Sequence, residues 1–547
     1  MKTKNNYYEY PIYTFFITLI LFVTSCQQRI NSSDGLDSLN AERLKNHIRV
    51  LASDSLMGRM PLTLGEEKTI RYIEEQYKAI GLEPGNNDSY IQEVPMANIL
   101  AIASPEMTVT SKKNIYTLNA FTDYVVWTNK TEKQIVIDKS ELVFAGYGVV
   151  APEYNWNDYK DLDVKNKIVL VMVNDPGFWI GDTSLFKGKA MTYYGRWTYK
   201  FEEATRQGAK GCIIIHKTEA AGYPFSVLQN NFNTNRLQLD NRNKEVQECD
   251  LLGWVTETSA KKLLQSSSSD TNLLAKANEL NFKGTSLNLF LSTKIDVTVN
   301  YNHSHNVLGK ITGTKYPDEV IIYTAHWDHF GIGKPNAAGD SIYNGAIDNA
   351  SGVAALVELA QAFKSIKTKP ERTIVFLTVT AEEQGLLGAY YYVDNPIFPI
   401  KNTIANINVD MLNCLNQTND FYITGAGQSE LEDYFIEELK QAGFYLSEEK
   451  YPEAGMYFRS DHLPFVKASV PALFIGNGTD DINLGKEEGE KIQSHYRSKT
   501  YHTPDDEFNE IWKMDGTIDQ LKILLQVGKR VAYTHIFPQW KSTSDYK

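Results

Sequence analysis

The run Thr373-Ile374-Val375-Phe376-Leu377-Thr378-Val379 has almost no polar face. A strand of that kind is buried on both sides, and such strands belong to parallel sheets covered by helices. Residues 320–325, 404–411 and 472–475 repeat the pattern. Between and beyond them, residues 353–363, 431–443 and 518–533 carry helical periodicity. This alternation predicts an α/β fold with a mostly parallel central sheet and helices on both faces. Nearer the start, Leu44, Ile48 and Leu51 fall on one face of a helix. Ile70, Ile73, Tyr77 and Ile80 fall on one face of another, stopped by Gly81.

The chain of 547 residues is too long for one ordinary domain. Residues 106–300 differ in texture from the rest. Short apolar runs at 142–148, 167–173 and 211–216 alternate with turns and with a helix over 199–207, and four serines at 266–269 mark a surface loop. We expect a smaller mixed α/β unit there, inserted between two parts of the larger domain at 39–105 and 301–537.

The formal net charge of -12 argues against a nucleic-acid partner, which needs a basic footprint. The four cysteines, Cys26, Cys212, Cys249 and Cys414, form no C-x-x-C pair, so a thiolate metal site is not expected. An apolar run over 12–23 follows Lys2 and Lys4, the order of a secretory signal. Its ending, Val23-Thr24-Ser25-Cys26, resembles a bacterial lipobox. That resemblance implies removal of residues 1–25, acylation of Cys26, and a tether over 26–38. The mature chain would be exported and held at the membrane of the cell envelope by its lipid.

Polar groups gather where the strands end. His326 and Asp328 follow the first strand, Glu382-Glu383 another, and Asp410 a third; Asp348 precedes a helix, and His502 comes much later. In an open parallel sheet such positions converge on one edge, where ligands bind. Two His, two Asp and one Glu suit zinc, with one Glu to spare. Adjacent carboxylates raise each other's ionisation cost. A cation relieves one and leaves the other to hold a proton, which makes Glu383 a ligand and Glu382 a general base. Asp328, two residues from His326, points the same way along an extended chain. It is expected to accept the second imidazole N–H and fix the ring. His329 would compete as a ligand but is expected to face the opposite side.

His326-x-Asp328, Gly345-x-x-Asp348-Asn349-x-Ser351-Gly352, Ala381-Glu382-Glu383-x-Gly385, Asn408-x-Asp410-Met411 and Tyr501-His502-Thr503-x-x-Asp506 together resemble the two-zinc aminopeptidases of the twenty-eighth metallopeptidase family. Ser460-Asp461-His462-x-Pro464-Phe465 and the early Leu51-Ala52-Ser53-Asp54 with Gly58-Arg59 extend the match. The middle region, with Gly146-Tyr147-Gly148 and Gly208-Ala209-Lys210-Gly211, looks like the protease-associated domain often inserted in such enzymes. The resemblance implies two zinc ions bridged by Asp348. His326 and Asp410 would complete one site, and Glu383 and His502 the other. It implies a peptide substrate cut at its amino-terminal bond. Arg459, Asp461, His462 and Tyr457 are expected at the substrate site, with Asp461 and His462 on its rim. A glutaminyl-peptide cyclotransferase of the same fold, a carboxypeptidase, and a non-catalytic peptide-binding surface protein are the rival readings.

Overall fold

The computed structural model describes residues 34–546 apart from 231, 244–247 and 268–271. The apolar leader and Cys26 lie outside the described residues, and no described helix is long and apolar enough to cross a membrane.

Five strands build the sheet that carries the site: β1 (Thr285–Ile311), β2 (Tyr316–His326), β3 (Arg372–Val379), β4 (Thr403–Asn408) and β5 (Ala472–Asn477). Their spatial order is β1-β3-β2-β4-β5. The four strands from β3 to β5 run parallel, and β1 closes one side antiparallel. Every residue of β3 and β4 is buried, as their unbroken apolar character requires. Helix Ser351–Ser365 packs into the core with the first two helices, Ala41–Leu51 and Leu64–Ile80. Leu44, Ile48 and Leu51 are fully buried on one face of the first helix. At about 1.5–3 kcal/mol per buried leucine or isoleucine, that face accounts for why so polar a helix docks at all.

Residues from 97 to 297 contribute to a second, separate hydrophobic core. Its centre is a parallel set, Gln134–Phe144, Ile168–Met172, Gly211–His216 and Leu251–Thr256, with Tyr124–Trp127 antiparallel at the edge. The three described cysteines are buried and unbridged. The boundary expected at residue 300 falls inside β1, which spans 27 residues without a break. Its first part pairs with Gln134–Phe144, its middle with Ile91–Ala103 and its end with β3. One strand therefore belongs to both cores and couples them.

Candidate metal centre

β2 ends on His326, β3 stops three residues before Glu382, and β4 stops two residues before Asp410. All three groups thus leave the same edge of the parallel set. Asp348 arrives on the loop before helix Ser351–Ser365, and His502 from the segment after residue 500. Asp348 stands between the two imidazoles: Oδ1 is 3.2 Å from His326 Nε2, and Oδ2 is 3.1 Å from His502 Nε2. Asp410 Oδ1 lies 3.4 Å from His326 Nε2, and Glu383 Oε2 lies 3.4 Å from His502 Nε2. Two triads therefore share one carboxylate, His326–Asp348–Asp410 and Asp348–Glu383–His502. Glu382 sits beside the first, with Oε2 4.0 Å from His326 Nε2. Only His502 is substantially open, its side chain 34% exposed, while those of the other four triad members are at most 9% exposed.

The loops are fixed by their own side chains. Asp506 accepts the backbone N–H groups of Ile347 and Asp348, both at 3.1 Å. Asn349, rather than Asp348, caps the helix by accepting Gly352 N–H at 2.9 Å. Gly345 has φ +54°, and a Cβ there would stand 2.1 Å from Asp348 O and 2.6 Å from the His329 ring, so only glycine fits. On the other side, Ser460 donates to Asp410 Oδ2 at 2.6 Å and accepts from Asn408 at 2.7 Å. Arg59 is buried and donates to the carbonyls of Leu51, Trp327, Asn344 and Gly345, which frame the site. The early Gly58-Arg59 match thus has a structural meaning.

Four expectations need correction. His326 Nδ1 faces the backbone carbonyl of Asp328 at 3.2 Å, while the Asp328 carboxylate is 3.8 Å away. That carboxylate instead accepts the N–H groups of Glu382 at 3.0 Å and Glu383 at 3.3 Å, so it positions the pair of glutamates. His329 does not face away: its Nδ1 lies 2.6 Å from Glu383 Oε1. Asp461 and His462 are fully buried beneath the site and form no part of its rim. Tyr457 is buried as well, packed against His462 with ring centroids 4.6 Å apart, and does not face the cleft. Arg459 does reach the site. It lines a small cavity together with Asp348, Glu382, Asp410 and Met456. The contact of His329 with Glu383 and the grip of Asp506 on the Asp348 loop were missed because their partners lie in loops distant in sequence; the one signal for Asp506 was its place in the Tyr501 to Asp506 motif.

The electrostatics follow from crowding. Burial, then Glu383, Asp461 and Asp410, hold the Glu382 carboxyl well above its ordinary range. Burial also pushes Glu383 up to about 8. Burial alone would lower His326, but Glu382, Asp348 and Asp410 hold it well above 6.5. His329 is pushed down to about 3 by burial, and its Nδ1 shares a hydrogen bond with Glu383 Oε1. Asp410 Oδ1 is buried without a hydrogen-bond partner. Among the described residues, ligand atoms of His326, Asp348 and Asp410, of His326, Glu382 and Glu383, and of His329, Asp348 and Glu383 lie within 4.8 Å of one another, and with His502 beside Asp348 and Glu383 they form a donor set of the kind that holds zinc.

The site opens into a cleft of about 1010 Å³. Asp410, Tyr501 and His502 line it together with Phe330, Tyr343 and, from the smaller unit, Tyr223.

Residues 306–524 match the family described as Peptidase family M28. The aminopeptidase YwaD of Bacillus subtilis (strain 168) is 31% identical over 219 residues, 38% of this chain and 41% of that protein. A probable zinc metalloprotease of Pyrenophora tritici-repentis is 39% identical over 109 residues, 20% of this chain and 21% of its own length. The chain therefore spans less than half the length of either relative. Among solved structures, an aminopeptidase from Aneurinibacillus sp. strain AM-1 shares the fold, with a TM-score of 0.51 and 21% identity over 93% of this chain and 97% of its own.

Proposed function

We propose that this chain, whose residues 306–524 form a peptidase family M28 domain, is a zinc-dependent aminopeptidase that hydrolyses the amino-terminal bond of peptides. The carrying observation is Asp348, which offers one oxygen to each of two imidazoles. His326, Asp348 and Asp410 would hold one zinc, and Asp348, Glu383 and His502 a second. When bound, zinc supplies polarisation of the scissile carbonyl and a lowered pKa for the attacking water.

The chain's own residues do the rest. Glu382 stands beside the triads without belonging to either, the place for a group that takes the water's proton and passes it to the leaving amine. Asp328 fixes Glu382 and Glu383 through their N–H groups, and His329 turns the Glu383 carboxylate toward His502. The buried carboxylates supply the negative field that a free α-ammonium needs. Residues 106–300 would be the protease-associated domain, and residues 1–26 would export the protein and anchor it to the cell envelope through a lipid on Cys26.

The test uses leucyl anilide and the pair Leu-Ala and N-acetyl-Leu-Ala. An aminopeptidase releases leucine from the unblocked substrates alone, whereas a carboxypeptidase releases alanine from the acetylated one. Glu382→Gln should lower kcat by at least about 10²-fold, the range for a lost general base. Full activity in that variant would refute the assignment.

A further inference from the structure

Two other buried arginines hold several partners each, although one terminal nitrogen of Arg372 is unpartnered. Arg59 reaches four carbonyls, and Arg372 reaches Glu319 and three carbonyls. Arg459 and Arg196 differ. Arg459 lines the cavity shared with Asp348, Glu382 and Asp410, and its Nε is buried without a hydrogen-bond partner. Arg196, at the start of helix Trp197–Arg206 in the smaller unit, is only 8% exposed, and its Nε is likewise unpartnered. Among the described residues neither guanidinium has an ion pair. Besides burial, the strongest influences on Arg196 are Arg459 and the hydroxyls of Tyr223, Tyr193 and Tyr390. Burial, reinforced by Arg459, pushes Arg196 down to about 9. The nearby Glu202 is engaged with Lys467. Arg459 lines the open cleft as well as the small cavity, so an anion entering through the cleft can reach it, with the Arg196 charge behind.

A peptide carries one kind of anion, the carboxylate. In the proposed reaction the ammonium end of the substrate goes to the acidic cluster, so a carboxylate near Arg459 must come from the leaving side. We infer that Arg459, backed by Arg196, binds a carboxylate on the residue that follows the scissile bond. Preferred substrates are then dipeptides, through their terminal carboxylate, or peptides with Asp or Glu in the second position. This deepens the aminopeptidase reading and rests on it for the orientation of the substrate. It also gives the smaller unit a part in substrate choice.

The test compares Leu-Ala, Leu-Ala-NH2 and Leu-Glu-NH2 on the zinc-loaded enzyme. At least one carboxylate-bearing substrate should exceed Leu-Ala-NH2 in kcat/KM by roughly tenfold or more, the worth of one charge-assisted pair. The preferred member identifies the source of the carboxylate. Arg459→Gln should bring that ratio toward one, Arg459→Lys should restore part of it, and Arg196→Lys should narrow it. Equal rates on all three substrates, or a ratio untouched by Arg459→Gln, would overturn the inference. Binding of the same three ligands to Glu382→Gln, followed by calorimetry, separates the two readings. A carboxylate-dependent affinity there sustains the arginine site even if no peptide is cleaved, and its absence refutes that site even if peptides are cleaved.

Discussion

At the scale of single residues, Asp328 has a different task from the one its sequence position suggests. Its spacing from His326 marks it as the ring's partner, yet the ring takes its backbone carbonyl and its carboxylate grips two amides 54 and 55 residues away. Asp328→Asn keeps the shape but sets an NH2 group against one of those N–H donors. We expect roughly a 10- to 100-fold loss of kcat/KM on leucyl anilide, the usual cost of disturbing a group that orients ligands. A variant within twofold of wild type would remove Asp328 from the mechanism. His326, Glu383 and Asp410 were legible as polar residues just past apolar runs, whereas Asp348 and His502 were legible only through the motifs around them. The partners of Asp328, His329 and Asp506 were not, since they depend on how separate loops meet. The backbone pays locally for this convergence: Ala381, Met411 and His502 all have positive φ, of 52°, 54° and 59°.

Among elements, the strands of the parallel set were readable from burial on both faces. The first helix was readable from its Leu44, Ile48, Leu51 stripe, and Asn40 caps it in the structure. The 27-residue strand β1 was not, since its alternating first part and apolar end look like two strands with a boundary between them. The loop carrying Arg59 was visible only as a motif. Its energetic role is now plain, for one guanidinium satisfies four carbonyls from three segments. Arg59→Met should leave those carbonyls buried and unpaired. At about 1–3 kcal/mol for a strongly unsatisfied group, with partial relaxation, the expected destabilisation is about 3–5 kcal/mol. Denaturant unfolding of the metal-free protein measures it, and a change below about 0.5 kcal/mol would show that the clamp is dispensable.

For the whole molecule, acid should be destabilising through a histidine far from the site. His47 lies in the contact between the first two helices, hydrogen-bonded to Tyr72, and burial followed by the Arg43 charge lowers it from 6.5 to about 4. The unfolded chain therefore takes the proton first. Stability present above pH 6.5 is lost as pH falls toward 4, because unfolding then binds a proton that the folded state refuses. The melting temperature of wild type should fall more steeply across that window than that of His47→Asn, so the gap between them narrows on acidification. Parallel curves would contradict this. The two-core plan was legible as a change of texture near residue 106, but the coupling of the cores through β1 was not, because a shared strand leaves no local mark in composition.

All of this turns on Asp348 as the carboxylate common to two metal sites. Zinc content per folded chain, counted by mass spectrometry after dialysis without chelator, tests that directly. The account predicts two zinc ions in wild type, one in His502→Ala, and loss of both from Asp348→Ala. A single zinc in wild type, or two retained in folded Asp348→Ala, would contradict it.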